Sequence, residues 1–132
     1  MQYLLTYLTD QSQMADATEE EMRGWLDAWT AFDREAIEAG VLIAGVALQD
    51  SSTATTIELK ESGEKVTTDG PFAESKEQLG GFHLLECENL DEALEWAHKV
   101  PLRAGYIEVK PARDFSELGY STPTPGPFKT AA

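Results

Sequence analysis

The sequence predicts an α+β fold of the ferredoxin-like kind, with one antiparallel sheet and two helices packed on one of its faces. Three observations lead to it. Strand-like and helix-like stretches follow one another as strand, helix, strand, hairpin, strand, helix, strand. Each helical stretch has a single apolar face, so both helices bury that face against the same side of a sheet. The 132 residues fit one domain, and a hydrophobic share of 42% is enough to build a core.

Tyr3 to Leu8 is apolar and aromatic and stops at Asp10, as a first strand does. Thr18-Glu19-Glu20-Glu21 is a capping box, in which the Thr18 hydroxyl accepts from the Glu21 amide and the Glu21 carboxylate reaches back. Met22, Trp25, Leu26, Trp29, Phe32, Ala36 and Ile37 follow at helical spacing. Gly40 suits the left-handed position after a helix, so the first helix spans roughly 19–39. Val41 to Leu48 is a short apolar, partly β-branched run, read as a buried strand. Thr55, Ile57 and Leu59 alternate with Thr56, Glu58 and Lys60, Ser62-Gly63 turns the chain, and Lys65 to Thr68 returns it.

Residues 69–78 are polar and broken by Gly70 and Pro71, so they form a loop or a single helical turn, and Gly81 to Cys87 is the next strand. Asn89 caps the second helix, Leu90, Ala93, Leu94, Ala97 and Val100 form its apolar face, and Pro101 stops it. Tyr106 to Lys110 is the last strand. Four of the six prolines stand at 111, 123, 125 and 127, which divides the chain into a domain over 1–111 and a Pro-rich extension over 112–132. The far face of the sheet needs a cover. Thr55, Ile57, Leu59, Ile107 and Val109 offer an apolar lining on one face or the other, and a second copy of the chain is the expected cover, joined sheet to sheet as a homodimer.

Ten Lys+Arg against 24 Asp+Glu give a net charge of −14. Nucleic acid and anionic membranes attract basic surfaces, so neither is an expected partner. The start Met1-Gln2-Tyr3-Leu4-Leu5-Thr6 lacks the basic residues and apolar run of a signal peptide, and Val41 to Leu48 is too short to span a bilayer. Cys87 is the one cysteine, so no internal disulfide forms and the expected location is the cytoplasm. Eight acids lie in 16–38 and five in 86–97, which assigns most of the charge to the solvent faces of the two helices.

The densest candidate for chemistry is the run from Asp69-Gly70-Pro71-Phe72 to Gly80-Gly81-Phe82. Gly70 and Pro71 fix a sharp turn after a strand and hold Asp69 there. Asp69, Glu74 and Glu77 surround Lys76. Carboxylates beside an apolar wall, here Phe72, can serve as general acid or base, while Lys76 stabilises a developing anion. Gly80 and Gly81 leave room for a ligand or a second backbone. The bland reading is a turn network: Asp69 caps amides, Phe72 anchors the loop, and the remaining charges pair locally.

This run resembles the signature of the DGPF branch of the YCII-related superfamily. The resemblance extends to Ala54-Thr55-Thr56, to Asn89 through Ala97 and to Ile107 through Pro111, and so covers 1–111. It implies a bacterial protein with a ferredoxin-like domain that dimerises as an α/β barrel. It also implies two kinds of role: a regulatory connection to sigma factors of the extracytoplasmic-function type, or an enzyme acting on small aromatic or chlorinated rings. The superfamily often carries a His–Asp pair with the histidine on helix one. Helix one here has no histidine, so that chemistry is not carried over.

Trp25, Trp29 and Phe32 form an aromatic stripe that either fills the core or lines a pocket for a flat ligand, with Tyr3 and Tyr7 offering hydroxyls to it. His83, on a strand, is a candidate general base, because its ordinary pKa lies near neutrality. His98 belongs at the negative end of helix two, and Cys87 reads as a buried strand residue. The two histidines show no metal spacing, and neither a phosphate loop nor a dinucleotide fingerprint is present, so no metal and no cofactor is expected. The leading expectation is a small, aromatic ligand bound at the motif loop, with proton transfer by Asp69 or His83 as one outcome. The rival is a non-enzymatic interaction module.

Overall fold

In a computed structural model that describes residues 1–73 and 75–120, the strands and helices stand where the periodicity puts them. Strand β1 (Gln2–Thr9) leads into helix α1 (Glu19–Glu38) and strand β2 (Leu42–Ala47). Strands β3 (Thr55–Leu59) and β4 (Lys65–Asp69) follow, then β5 (Gln78–Glu86), α2 (Leu90–Lys99) and β6 (Tyr106–Pro111). The four-stranded sheet runs β2-β5-β1-β6 with every neighbouring pair antiparallel, an α+β arrangement compatible with a ferredoxin-like fold. Strands β3 and β4 pair antiparallel in a two-stranded sheet of their own. Among the described residues no helix is long and apolar enough to cross a membrane.

The helix ends follow their local chemistry. The Thr18 hydroxyl accepts from the Glu21 amide at 3.1 Å, although the return bond from Glu21 is not made among the described residues. Gly40 N–H donates to Ile37 and Val41 N–H to Ala36, with Gly40 at φ 72°, the paired bonds of a Schellman stop. Asn89 accepts from the Glu92 amide at 3.0 Å and caps α2. Val100, before Pro101, is already extended.

Alternation on β1 sends Tyr3, Leu5 and Tyr7 inward, where they meet Leu85 of β5, Phe32 and Ala36 of α1, and Ala93, Trp96 and Ala97 of α2. Both helices therefore cover one face, and Phe32 touches Trp96 edge to face across them. Two expectations need correcting. Ile107 and Val109 pack against this core on the helix side, while Ile57 and Leu59 stand exposed on the separate two-stranded sheet, so these residues do not line one outer surface. Helix α1 buries only Phe32 and Ala36, leaving Met22 45% and Leu26 61% exposed.

Candidate functional site

The polar centre of the core is His83. Among the described residues it is the one buried residue outside the apolar and aromatic core set, 6% exposed, on β5 opposite Leu5 of β1. Tyr7, two residues further along the inward face of β1, brings its hydroxyl to 2.6 Å from His83 Nδ1. Asp33, one residue past Phe32 on α1, brings Oδ1 to 2.8 Å from Nε2. Three aromatic rings enclose the imidazole. Trp29 stacks nearly parallel to it at 6.0 Å, Phe32 meets it edge to face at 5.2 Å, and Tyr7 does so at 5.6 Å. Tyr7 in turn rests its edge against Trp29 at 5.2 Å.

The hydrogen bonds assign the protons. An ionised carboxylate only accepts, so His83 Nε2 carries a proton and donates to Asp33. A neutral imidazole then has Nδ1 free to accept, and the Tyr7 hydroxyl donates to it. Burial, helped by the Asp33 charge, pushes the Tyr7 phenol well above its ordinary value, so it keeps its proton. Burial also lowers the His83 pKa, against the opposing hydrogen bond and charge of Asp33. The result is a directed line, Tyr7 O–H to His83 to Asp33, ending at a carboxylate whose side chain is 41% exposed. Of the three groups Asp33 is the one open to solvent, and it is the one that can meet a ligand.

The lowered His83 pKa sets a pH dependence. Below pH 6.5 the unfolded chain protonates this histidine while the folded chain resists, so the unfolded state binds more protons and stability falls with acid. The contribution is complete above pH 6.5 and declines as pH drops toward the folded value. Thermal denaturation between pH 5 and 8 should therefore show a Tm that falls on the acid side, with a smaller fall in His83→Gln.

The other sequence candidates lie elsewhere. Asp69 ends β4, and neither it nor Lys76 or Glu77 is linked by a hydrogen bond or ion pair to His83 among the described residues. Phe72 is 92% exposed, so it neither walls a cleft nor anchors the loop in the core. Lys76 and Glu77 line a polar cleft of about 230 Å³ with Asp10, Gln13, Gly105 and Tyr106. There Asp10 is held below the usual carboxylate range by hydrogen bonds from Ser12, with a smaller contribution from Lys76. Glu74 lies outside the described residues.

Gly81 makes room for a backbone, since a Cβ there would stand 2.7 Å from the Val46 carbonyl oxygen, and Gly80 faces the Thr9 hydroxyl. Trp25 is half-buried with the Arg103 guanidinium 4.3 Å from its ring centre. Cys87 is buried, and burial pushes its thiol up to about 11, so it stays protonated. Among the described residues no cluster of His, Cys, Asp and Glu is arranged to hold a metal.

Asp33 is the residue that sequence reasoning missed. A His–Asp pair is nonetheless present, with the histidine on β5 rather than on helix one and the aspartate on α1. A signal existed. Asp33 stands four residues after Trp29 and eight after Trp25, on the same side of the helix as the aromatic stripe rather than among the solvent charges.

A family model described as the YCII-related domain matches residues 1–116. An uncharacterised protein of Rhizobium meliloti (strain 1021) is 36% identical over 114 residues, covering 84% of this chain and 91% of that protein. With the match running from β1 through β6, the chain belongs to the YCII-related domain family.

Proposed function

We propose that this chain binds a small aromatic ligand beside Trp29 and moves a proton on it, an isomerase- or lyase-type step, with Asp33 as the proton-exchanging group. The observation that carries the reading is the buried imidazole held at both nitrogens, 2.6 Å from Tyr7 and 2.8 Å from Asp33. A histidine so held is poorly placed to reach a ligand itself. It serves the carboxylate by fixing its orientation through the Nε2–H bond. The Asp33 oxygen not bonded to His83 takes a proton from an acidic carbon of the ligand. The electron pair left behind moves into the ring system, and the proton returns at another position or the pair expels a leaving group. The half-buried Trp29 offers a flat apolar surface for such a ring. The Asp69-Gly70-Pro71-Phe72 run supports assignment to the DGPF branch.

A thermal-shift series with indole and substituted phenols tests the reading, paired with NMR detection of deuterium uptake at carbon in D₂O. Wild type should gain Tm with at least one ring compound and catalyse exchange on it. No Tm gain and no exchange across the series would contradict it.

A second copy of the chain is the proposed cover of the outer sheet face. Leu4, Phe82 and Leu84 stand there half-buried, and the Thr6 Oγ1 beside them is buried without a hydrogen-bond partner. Light scattering should give twice the 14.5 kDa chain mass, and a mass of one chain would refute the dimer.

A further inference from the structure

From the packing around His83 we infer that Gly45 is a positioning residue, and that its missing side chain seats the His83 ring between Tyr7 and Asp33. Gly45 lies directly across from His83 in the pairing of β2 with β5. A register shift between Leu42 and Ala44 brings this glycine, rather than Ala44, opposite the imidazole. A Cβ at position 45 would stand 2.5 Å from His83 Cδ2 and 2.9 Å from Nε2. Carbon atoms in contact keep about 3.5–4.0 Å apart, so the ring or the strand would have to move.

The ring has little freedom to give way. Tyr7 holds one nitrogen and Asp33 the other, Trp29 covers a face, and Phe32 presses on it edge to face. The backbone at Gly45 does not ask for glycine, since it is not among the positive-φ residues. Glycine inside a strand weakens it relative to residues with a side chain. A local cost in the strand is thus set against room for one imidazole, at the nitrogen that meets Asp33. The inference builds on Tyr7–His83–Asp33 as the functional site, but its structural readout is independent of any reaction.

The test is Gly45→Ala, made in the wild-type background and in His83→Ala, read by nitrogen-15 NMR of the His83 ring and by Tm. In wild type the two ring nitrogens should resonate far apart, as one fixed tautomer. In Gly45→Ala they should move toward each other, and Tm should fall. In the His83→Ala background the same change should leave Tm unchanged or raise it, because the obstructing ring is gone. His83 signals unmoved by Gly45→Ala, or an equal Tm loss in both backgrounds, would overturn the inference. If the signals move while wild type exchanges no ligand proton, the positioning role stands and the proton-transfer reading falls. Exchange by wild type with unmoved His83 signals in Gly45→Ala would sink the positioning role alone.

Discussion

Asp33→Ala is expected to slow proton exchange on a bound ligand by about 10²–10⁴-fold, the usual worth of a positioned acid or base. The change deletes the group of the line that is open to solvent while leaving Tyr7 and His83 in the core. It also orphans the Nε2–H of a histidine that is 6% exposed, and an unsatisfied buried donor costs about 1–3 kcal/mol. The Asp33 hydrogen bond and charge are what raise the His83 pKa against burial, so its titration should move further down in this variant. Asp33→Asn separates the effects. Its amide oxygen can still accept from Nε2–H, so stability should be largely kept while exchange is lost. Denaturation midpoints and deuterium uptake, measured on both variants, check this pattern. Exchange at wild-type rate in Asp33→Ala would remove the carboxylate from the chemistry.

Leu5→Ala should destabilise the fold by about 2–5 kcal/mol, the range for a buried leucine truncated in a core. Leu5 is 0% exposed, pairs with His83 on one side and Val109 on the other, and belongs to the cluster both helices cover. Against a typical total of about 5–15 kcal/mol, such a loss is a large fraction of the stability. The cavity would open beside the imidazole, so His83 should also lose part of its fixed orientation. Urea denaturation of Leu5→Ala measures the loss. A cost below about 1 kcal/mol would mean that the core around the histidine collapses to fill the space.

Much of this architecture is legible in one sequence because it rests on local chemistry. Thr18, Gly40, Asn89 and Pro101 mark the helix ends by hydrogen bonds and steric limits that act within a few residues. Alternation in β1 is equally local, and it groups Tyr3, Leu5 and Tyr7 on one face. Periodicity shows which residues share a face but not which face meets the helices. It therefore puts Ile107 and Val109 in one group with Ile57 and Leu59, although the first pair faces the core and the second does not. The site is less legible still. Asp33 and His83 are 50 residues apart, and their meeting depends on how α1 lies over β5, a tertiary fact with no local signature. His83, Tyr7 and Trp29 each stand out in the sequence as candidates. The −14 charge hid Asp33, because a helix rich in carboxylates makes one on the aromatic side easy to assign to solvent.

His83 is a buried imidazole held in one orientation between Tyr7 and Asp33. Nitrogen-15 NMR of the wild-type ring through a pH titration reads this state. It should show a protonated Nε2 and an unprotonated Nδ1, with protonation held off until the pH is below the ordinary value of about 6.5. Averaged tautomers, or a titration at about 6.5 or above, would contradict it.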